Sequence, residues 1–358
     1  MLNFAIIGAG AGGQSMAAVL TQKGYTAKLY DIDKDKIKKL QSLDAIKVTG
    51  VIEAEAKPAV ITDKIEEVME DVDVVMIVST TDAHGSIAQL IKPLVKDGQI
   101  IVLNPGHCGG ALEISNILRG ENGSGKDLLI AEAGDLMYGC RCYEVGNVLH
   151  TGLKLNVPIA ALPAGDVTKV LDVIGPIFPC LKAVPNILET GFEGGGAMLH
   201  TIPTVMNVNK MDLDQAYDYY MEGITPHVAG LIEKCDAERV KVCEALGIEA
   251  MTLAERLIKT YKLEPKDTLY EFIQSIESYK GIRNPKDTKH RFIVEDTMCG
   301  LVPLACIGHE LGVATPYMDS FVNLASSICG RDFWKEGRNA EKLGFAGKTA
   351  EEMHKMVE

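Results

Sequence analysis

The chain begins with a pattern that leaves little choice of local structure. Phe4-Ala5-Ile6-Ile7 runs into Gly8-Ala9-Gly10-Ala11-Gly12-Gly13, and Met16-Ala17-Ala18-Val19-Leu20 follows. Strand, glycine turn and helix in that order put glycines at the spacing G-x-G-x-x-G. Gly8 permits a sharp turn, Gly10 lets backbone approach a pyrophosphate, and Gly13 lets the helix sit close to the strand. Ala11 and Gly12 lie in this turn, and the helix N-terminus that follows presents free N–H groups and partial positive charge to phosphates. A second strand, Ala27-Lys28-Leu29-Tyr30, ends in Asp31, near the place that bonds a ribose 2′-hydroxyl. Together these residues read as a dinucleotide site. An acid at position 31 repels a 2′-phosphate, so NAD is the expected cofactor. Lys34 and Lys36 could fold back towards a phosphate, which keeps NADP open.

The first half of the chain alternates strand and helix. Strands are expected at 3–7, 26–31, 73–78, 99–103 and 127–131, with helical patterns around 13–23, 33–42, 63–70, 83–95 and 109–119. The strands are short, β-branched and nearly continuous in apolarity, as strands covered on both faces should be. Such alternation predicts a doubly wound parallel sheet with right-handed crossovers. Further β structure is expected over 145–162, then a helix at 166–176 and a strand near 180–188. Beyond that the periodicity turns helical, with helices expected at 195–209, 212–247, 250–262, 266–279, 294–311, 314–329 and 348–357, punctuated by prolines. The reading is an α/β dinucleotide-binding domain over 1–187 and an all-α domain over 188–358. No low-complexity linker divides them, so the two are expected to pack together around a shared cleft.

Charge and composition exclude several roles. A net charge of −13 leaves no basic surplus for a nucleic-acid partner. No window offers about 18 uninterrupted apolar residues, and residues 1–20 lack a basic leader, so neither a membrane span nor a signal peptide is expected. The nine cysteines are scattered, which fits a reducing, cytoplasmic setting. Cys140-x-Cys142 and the dispersed histidines lack paired ligand spacing, so no metal is expected. The large helical domain could supply a homodimer surface.

A dinucleotide supplies a hydride but no substrate site. Ser79 and Thr80 follow the strand at 73–78, and Asn104-Pro105-Gly106 follows the strand at 99–103. Loops at those carboxyl ends should border the cofactor. Asn-Pro-Gly is also a good turn on its own. Gly194-Gly195-Gly196 leads into a helix bearing His200, with Thr204 and Asn207 on the same face. Pro203 inside that helix implies a kink or a restart. His200 can change protonation near neutral pH. In Arg291-Phe292-Ile293-Val294-Glu295-Asp296, Asp296 could hold an imidazole in one tautomer and Arg291 could fork onto a carboxylate. A plain Arg291–Glu295 surface pair is the competing reading.

Taken together, these segments resemble the octopine/nopaline (opine) dehydrogenase family over nearly the whole chain. The similarity rests on Gly8-x-Gly10-x-x-Gly13, Asn104-Pro105-Gly106 with Gly109-Gly110-Ala111-Leu112-Glu113, Ala131-Glu132-Ala133 with Tyr138-Gly139-Cys140-Arg141, Ala160-Ala161-Leu162-Pro163, Met198-Leu199-His200 with Pro203 and Asn207, and Arg291 through Asp296. It implies a Rossmann domain joined to a helical domain of the 6-phosphogluconate-dehydrogenase type. It also implies NAD(P)H-dependent reduction of the imine formed from a 2-oxo acid and an amino acid. The resemblance puts the catalytic pair on His200 and Asp296 and substrate contacts on Arg291 and Glu132, while Thr204 and Asn207, on the His200 face, are read as further substrate-binding positions. Thr201 stands where the family usually has proline, and His107-Cys108 where it usually has Arg-Thr, so the substrate pair stays open. A simple 2-oxo acid or hydroxyacid reductase, of the ketopantoate-reductase or 6-phosphogluconate-dehydrogenase type, and a non-catalytic nucleotide-binding protein are the alternatives.

Overall fold

The computed structural model describes residues 1–192 and 194–358. The chain divides into two compact units, Met1–Gly191 with Met356–Glu358, and Phe192–Lys355.

The first unit is built on twelve strands: β1 (Asn3–Ile7), β2 (Thr26–Tyr30), β3 (Ile46–Gly50), β4 (Ala54–Ala56), β5 (Val60–Thr62), β6 (Val74–Ile77), β7 (Ile100–Leu103), β8 (Leu129–Ala133), β9 (Tyr138–Glu144), β10 (Asn147–Leu153), β11 (Val157–Leu162) and β12 (Leu181–Ala183). The main sheet has the order β12-β11-β8-β7-β6-β1-β2-β5. Six of these strands, from β8 to β5, run parallel. The chain winds outward from β1 through β2 to β5, then returns to β6 and winds the other way. That reversal puts the crevice of a doubly wound sheet beside β1 and β6. Val74–Ile77 and Ile100–Leu103 are wholly buried, as apolar runs covered on both faces should be.

At one edge the sheet departs from the parallel pattern. β11 pairs antiparallel with β8, and β12 follows β11 in parallel. Between β8 and β11 the chain makes the β9–β10 hairpin rather than a crossover helix, and without a crossover the return is antiparallel. The hairpin joins β3 and β4 in a second sheet of order β4-β3-β10-β9. Strands β3 to β5 went unread in the sequence. They are short, and the partly exposed Lys47, Thr49 and Glu55 interrupt their apolarity.

The first helices are α1 (Ala11–Gln22), α2 (Lys34–Gln41), α3 (Ile65–Met69), α4 (His84–Ile91), α5 (Gly110–Arg119), α6 (Val167–Ile174) and α7 (Ile187–Gly191). α1 lies directly behind the glycine turn. A Cβ on Gly13 would overlap the Gly8 carbonyl oxygen, so only glycine allows helix and strand this close.

The second unit is helical, with α8 (Gly196–Met206), α9 (Val208–Asp212) and α10 (Pro226–Leu246) its first members. α8 runs straight through Pro203. The break falls instead at Asn207, whose amide donates to the Pro203 carbonyl at 2.9 Å. The helix expected over 212–247 starts only at Pro226. Asp214 has φ +52°, Asp218 pairs with Arg283 in an isolated bridge, and Pro226 stands at the first helical position, where its missing N–H costs nothing. The helix expected over 266–279 shrinks to Leu269–Ser275, set by a capping box between Thr268 and Glu271. A helical segment covers 294–310, with Thr297–Leu301 wound as a π-helix, a form frequent at functional sites.

Candidate active site

In the first unit the predicted cofactor residues come together because their strands are neighbours. Gly8–Gly13, Ser79–Thr80, Asn104 and Asp31 follow the carboxyl ends of β1, β6, β7 and β2, four adjacent strands. Gly8 has φ +112°, and a Cβ there would strike the Val78 carbonyl. A Cβ on Gly10 would meet nothing within 4 Å, so the space over Gly10 is open for a ligand. Asn104 is buried, and among the described residues its Oδ1 has no hydrogen-bond partner. A buried acceptor without a partner is costly, and a carboxamide or hydroxyl at the crevice would satisfy it. Ser79 Oγ donates to the Thr80 carbonyl at 3.0 Å.

Asp31 is more heavily engaged than its sequence position suggests. Its Oδ2 accepts from the Ala9 N–H at 2.7 Å and from Lys36 Nζ at 3.0 Å, and its Oδ1 accepts from the Asp33 N–H at 2.9 Å. A carboxylate offers about four acceptor positions, so one remains for a ribose hydroxyl. Lys34 instead reaches Asp63, at 3.9 Å. These residues fit a bound dinucleotide: an open cradle, a buried orphan acceptor and an acid at the ribose position.

Glu132, at the end of β8, is fully buried. Its Oε2 accepts from the Ala111 N–H at 2.7 Å and its Oε1 from Thr190 Oγ1 at 2.5 Å. A Cβ on Gly106 would collide with it. Its carboxylate therefore holds the start of α5 beneath the Asn104–Gly110 loop.

The second unit assembles the other candidates. His200 Nδ1 lies 3.0 Å from Asp296 Oδ2. Tyr220 Oη lies 3.0 Å from His200 Nε2. The Phe292 ring stacks on the imidazole with centroids 4.1 Å apart and planes 9° apart. Tyr219 donates its hydroxyl to the His200 carbonyl at 2.5 Å. That uses the one phenol proton, so Thr204 Oγ1, 2.8 Å away, is the donor to Tyr219. Burial holds the Tyr219 phenol well above its ordinary pKa, so it stays a neutral donor. Arg291 precedes this cluster with its guanidinium half exposed, its Nε 3.1 Å from Glu295 Oε2. The surface pair is therefore present, and it engages Nε. Asn207 does not join the cluster. Its amide donates to the carbonyls of Pro203 and Gly223, each at 2.9 Å. His290 lies close by, its pKa lowered by burial and then by Arg291 and His200.

Comparisons with known proteins identify the family. The family model described as NAD/NADP octopine/nopaline dehydrogenase, alpha-helical domain, matches residues 183–329. The model for the NAD binding domain of 6-phosphogluconate dehydrogenase matches residues 3–105. An opine dehydrogenase of Arthrobacter sp. (strain 1C) is 38% identical over 356 residues, covering 99% of this chain and 98% of that one. The chain belongs to the opine dehydrogenase family. Octopine dehydrogenase solved with NADH and L-arginine superposes with a TM-score of 0.78 at 19% identity, over 98% of this chain and 97% of that one. Its complex with NADH and pyruvate gives 0.75 at 19% identity, over 96% of each chain. Yersinopine dehydrogenase bound to NADP+ gives 0.73 at 14% identity, over 100% of this chain and 98% of that one.

As an opine dehydrogenase, the protein is an NAD(P)-dependent oxidoreductase acting on CH–NH donors, with an NAD-binding domain followed by a helical one. Among the described residues no helix is long and apolar enough to cross a membrane. Sequence reasoning missed Tyr219, Tyr220 and Phe292. The tyrosines sit in the stretch read as helix. The signal that could have found them was Tyr217-Asp218-Tyr219-Tyr220 ahead of Gly223 and Pro226, an aromatic cluster bounded by helix breakers.

Proposed function

We propose that this protein reductively joins a 2-oxo acid and an amino acid through an imine, with His200 as general acid. The observation that carries the reading is the 3.0 Å contact of His200 Nδ1 with Asp296 Oδ2, one helical turn beyond Arg291. Asp296 accepts from Nδ1, which fixes the tautomer and stabilises the imidazolium. Nε2 is then the nitrogen that exchanges the reactive proton. The dinucleotide, when bound, supplies the hydride. Arg291 forks onto a substrate carboxylate, and holding the reacting carbon in place is itself a large rate contribution. A general acid adds about 10²–10⁴-fold. Thr204 supports the site through Tyr219, Asn207 by closing the end of α8, and Glu132 through the Asn104–Gly110 loop that it holds.

NAD is the preferred cofactor in this reading, because Asp31 occupies the ribose position. Pyruvate is the first oxo acid to try and L-arginine the first amine, since octopine dehydrogenase was solved with each. A cytoplasmic setting fits nine cysteines that are all free. The test is NADH oxidation by oxo acids with and without a panel of amino acids, with mass spectrometry for a secondary-amine product. Oxidation by the oxo acid alone, with no amine incorporated, would make the protein a simple reductase.

A further inference from the structure

The imidazole of His200 has two nitrogens, and both are engaged within the second unit. Asp296 accepts at Nδ1, so Nδ1 carries a hydrogen and Nε2 is the nitrogen that exchanges the reactive proton. An sp² ring nitrogen has a single in-plane direction for a lone pair or an N–H. Along that direction, 3.0 Å away, stands the hydroxyl of Tyr220. A proton leaving Nε2 meets Oη first.

Neither ring is free to swing aside. The imidazole stacks flat on Phe292. The Tyr220 ring stacks on Tyr279, with centroids 4.1 Å apart and planes 19° apart, and Tyr219 meets it edge-on at 5.1 Å. Tyr261 in turn abuts Tyr279 at 5.6 Å. Tyr220 as a whole is 6% exposed. In the neutral state the phenol donates to Nε2, and in the imidazolium state it accepts from Nε2–H. A hydroxyl can do both, and that dual capacity is what a proton relay needs.

We propose that Tyr220 is a further catalytic residue, the group through which the His200 proton reaches the substrate. This rests on His200 being the acid. Hydride adds to the imine carbon, the C=N π electrons move to nitrogen, and nitrogen takes the Tyr220 O–H proton. The Nε2–H of the imidazolium refills the phenol oxygen. The imidazole is left neutral with Nδ1–H on Asp296. One hydride and one proton are consumed, and His200 regains its proton from solvent after product leaves.

The experiment compares Tyr220→Phe, which keeps the aromatic stack, with His200→Ala and the wild-type protein. The probes are NADH, pyruvate and the amino acid found active in the panel. Steady-state rates are measured in water and in mixtures with deuterium oxide. The relay predicts that Tyr220→Phe lowers kcat at least about tenfold, a share of the usual general-acid effect, with KM values little changed. It also predicts that the rate bends with deuterium fraction in the wild type, as two moving protons require, and becomes linear in the variant. A thermal midpoint near the wild-type value checks that Tyr220→Phe is folded. Wild-type kcat in Tyr220→Phe beside an inactive His200→Ala overturns the relay and leaves the acid in place. Full activity in both variants, or no turnover with any substrate pair, removes the reading on which it rests.

Discussion

His200 Nδ1 and Asp296 Oδ2 lie 3.0 Å apart although 96 positions separate them in the chain. Helix α8 carries one and the helical segment 294–310 the other, and the carboxylate is nearly buried, with its side chain 6% exposed against 17% for the imidazole. A buried carboxylate is tolerated when it is paired, and the His200 ring is the partner here. Asp296→Asn keeps the shape and removes the charge. Steady-state kinetics should show kcat reduced about 10²-fold or more, within the range of general-acid effects, with the KM for NADH nearly unchanged. A variant at wild-type kcat would mean that the carboxylate only packs.

The glycine turn separates folding from binding. A Cβ on Gly10 meets nothing within 4 Å, whereas one on Gly13 runs into the Gly8 carbonyl. Gly10→Ala should therefore melt near the wild-type temperature and yet bind NADH at least about tenfold more weakly, because only the pyrophosphate contests that space. Gly13→Ala should melt lower, since an overpacked contact costs about 1–3 kcal/mol. Calorimetry and fluorescence titration check both. Equal NADH affinity in Gly10→Ala and wild type would take the pyrophosphate off this turn.

How much of this was legible from residues alone follows from how locally each feature is determined. The β1-α1-β2 unit was, because Gly8 and Gly13 answer steric demands that no other residue meets. Asp296 was legible as a possible partner of an imidazole, but that the imidazole is that of His200 came through the family resemblance, since no spacing rule links positions so far apart. Tyr220 was not legible at all. Its place depends on the chain leaving helix before Pro226, and the apolar spacing of 212–247 mimics one continuous helix. Asn207 was read on helical phase alone. Pro203 and Gly223 offer it backbone carbonyls, which a periodicity argument does not contain.

Cofactor choice rests on two opposed charges. Asp31 repels a 2′-phosphate, while Lys36, 3.0 Å from it, offsets that charge and could meet the phosphate. Comparing kcat/KM with NADH and NADPH should favour NADH in the wild type. Lys36→Met should widen the preference by lowering the NADPH value, and Asp31→Ser should narrow or reverse it. A strong NADPH preference in the wild type would contradict the assignment of Asp31.

Acid should weaken the fold through two histidines. Burial lowers the pKa of His150, and burial with Arg291 and His200 lowers that of His290. Below the ordinary histidine value of about 6.5, the unfolded chain takes up protons that these folded side chains refuse. Their contribution to stability is thus complete above about pH 6.5 and is lost as pH falls towards the folded values. Thermal midpoints should fall between pH 7.5 and 5.5. In His150→Gln, whose amide can still bond Ser15, the usual partner of His150 Nε2, the fall should be shallower. An identical slope in the variant would assign the pH dependence elsewhere.

The most direct test of the account is turnover by His200→Ala with the oxo acid and amine that the wild-type protein joins. The variant should bind NADH as tightly as wild type, because the dinucleotide residues belong to the first unit, and its kcat should fall by about 10²–10⁴-fold. A variant that still forms the secondary-amine product at the wild-type rate would show that the proton comes from another group.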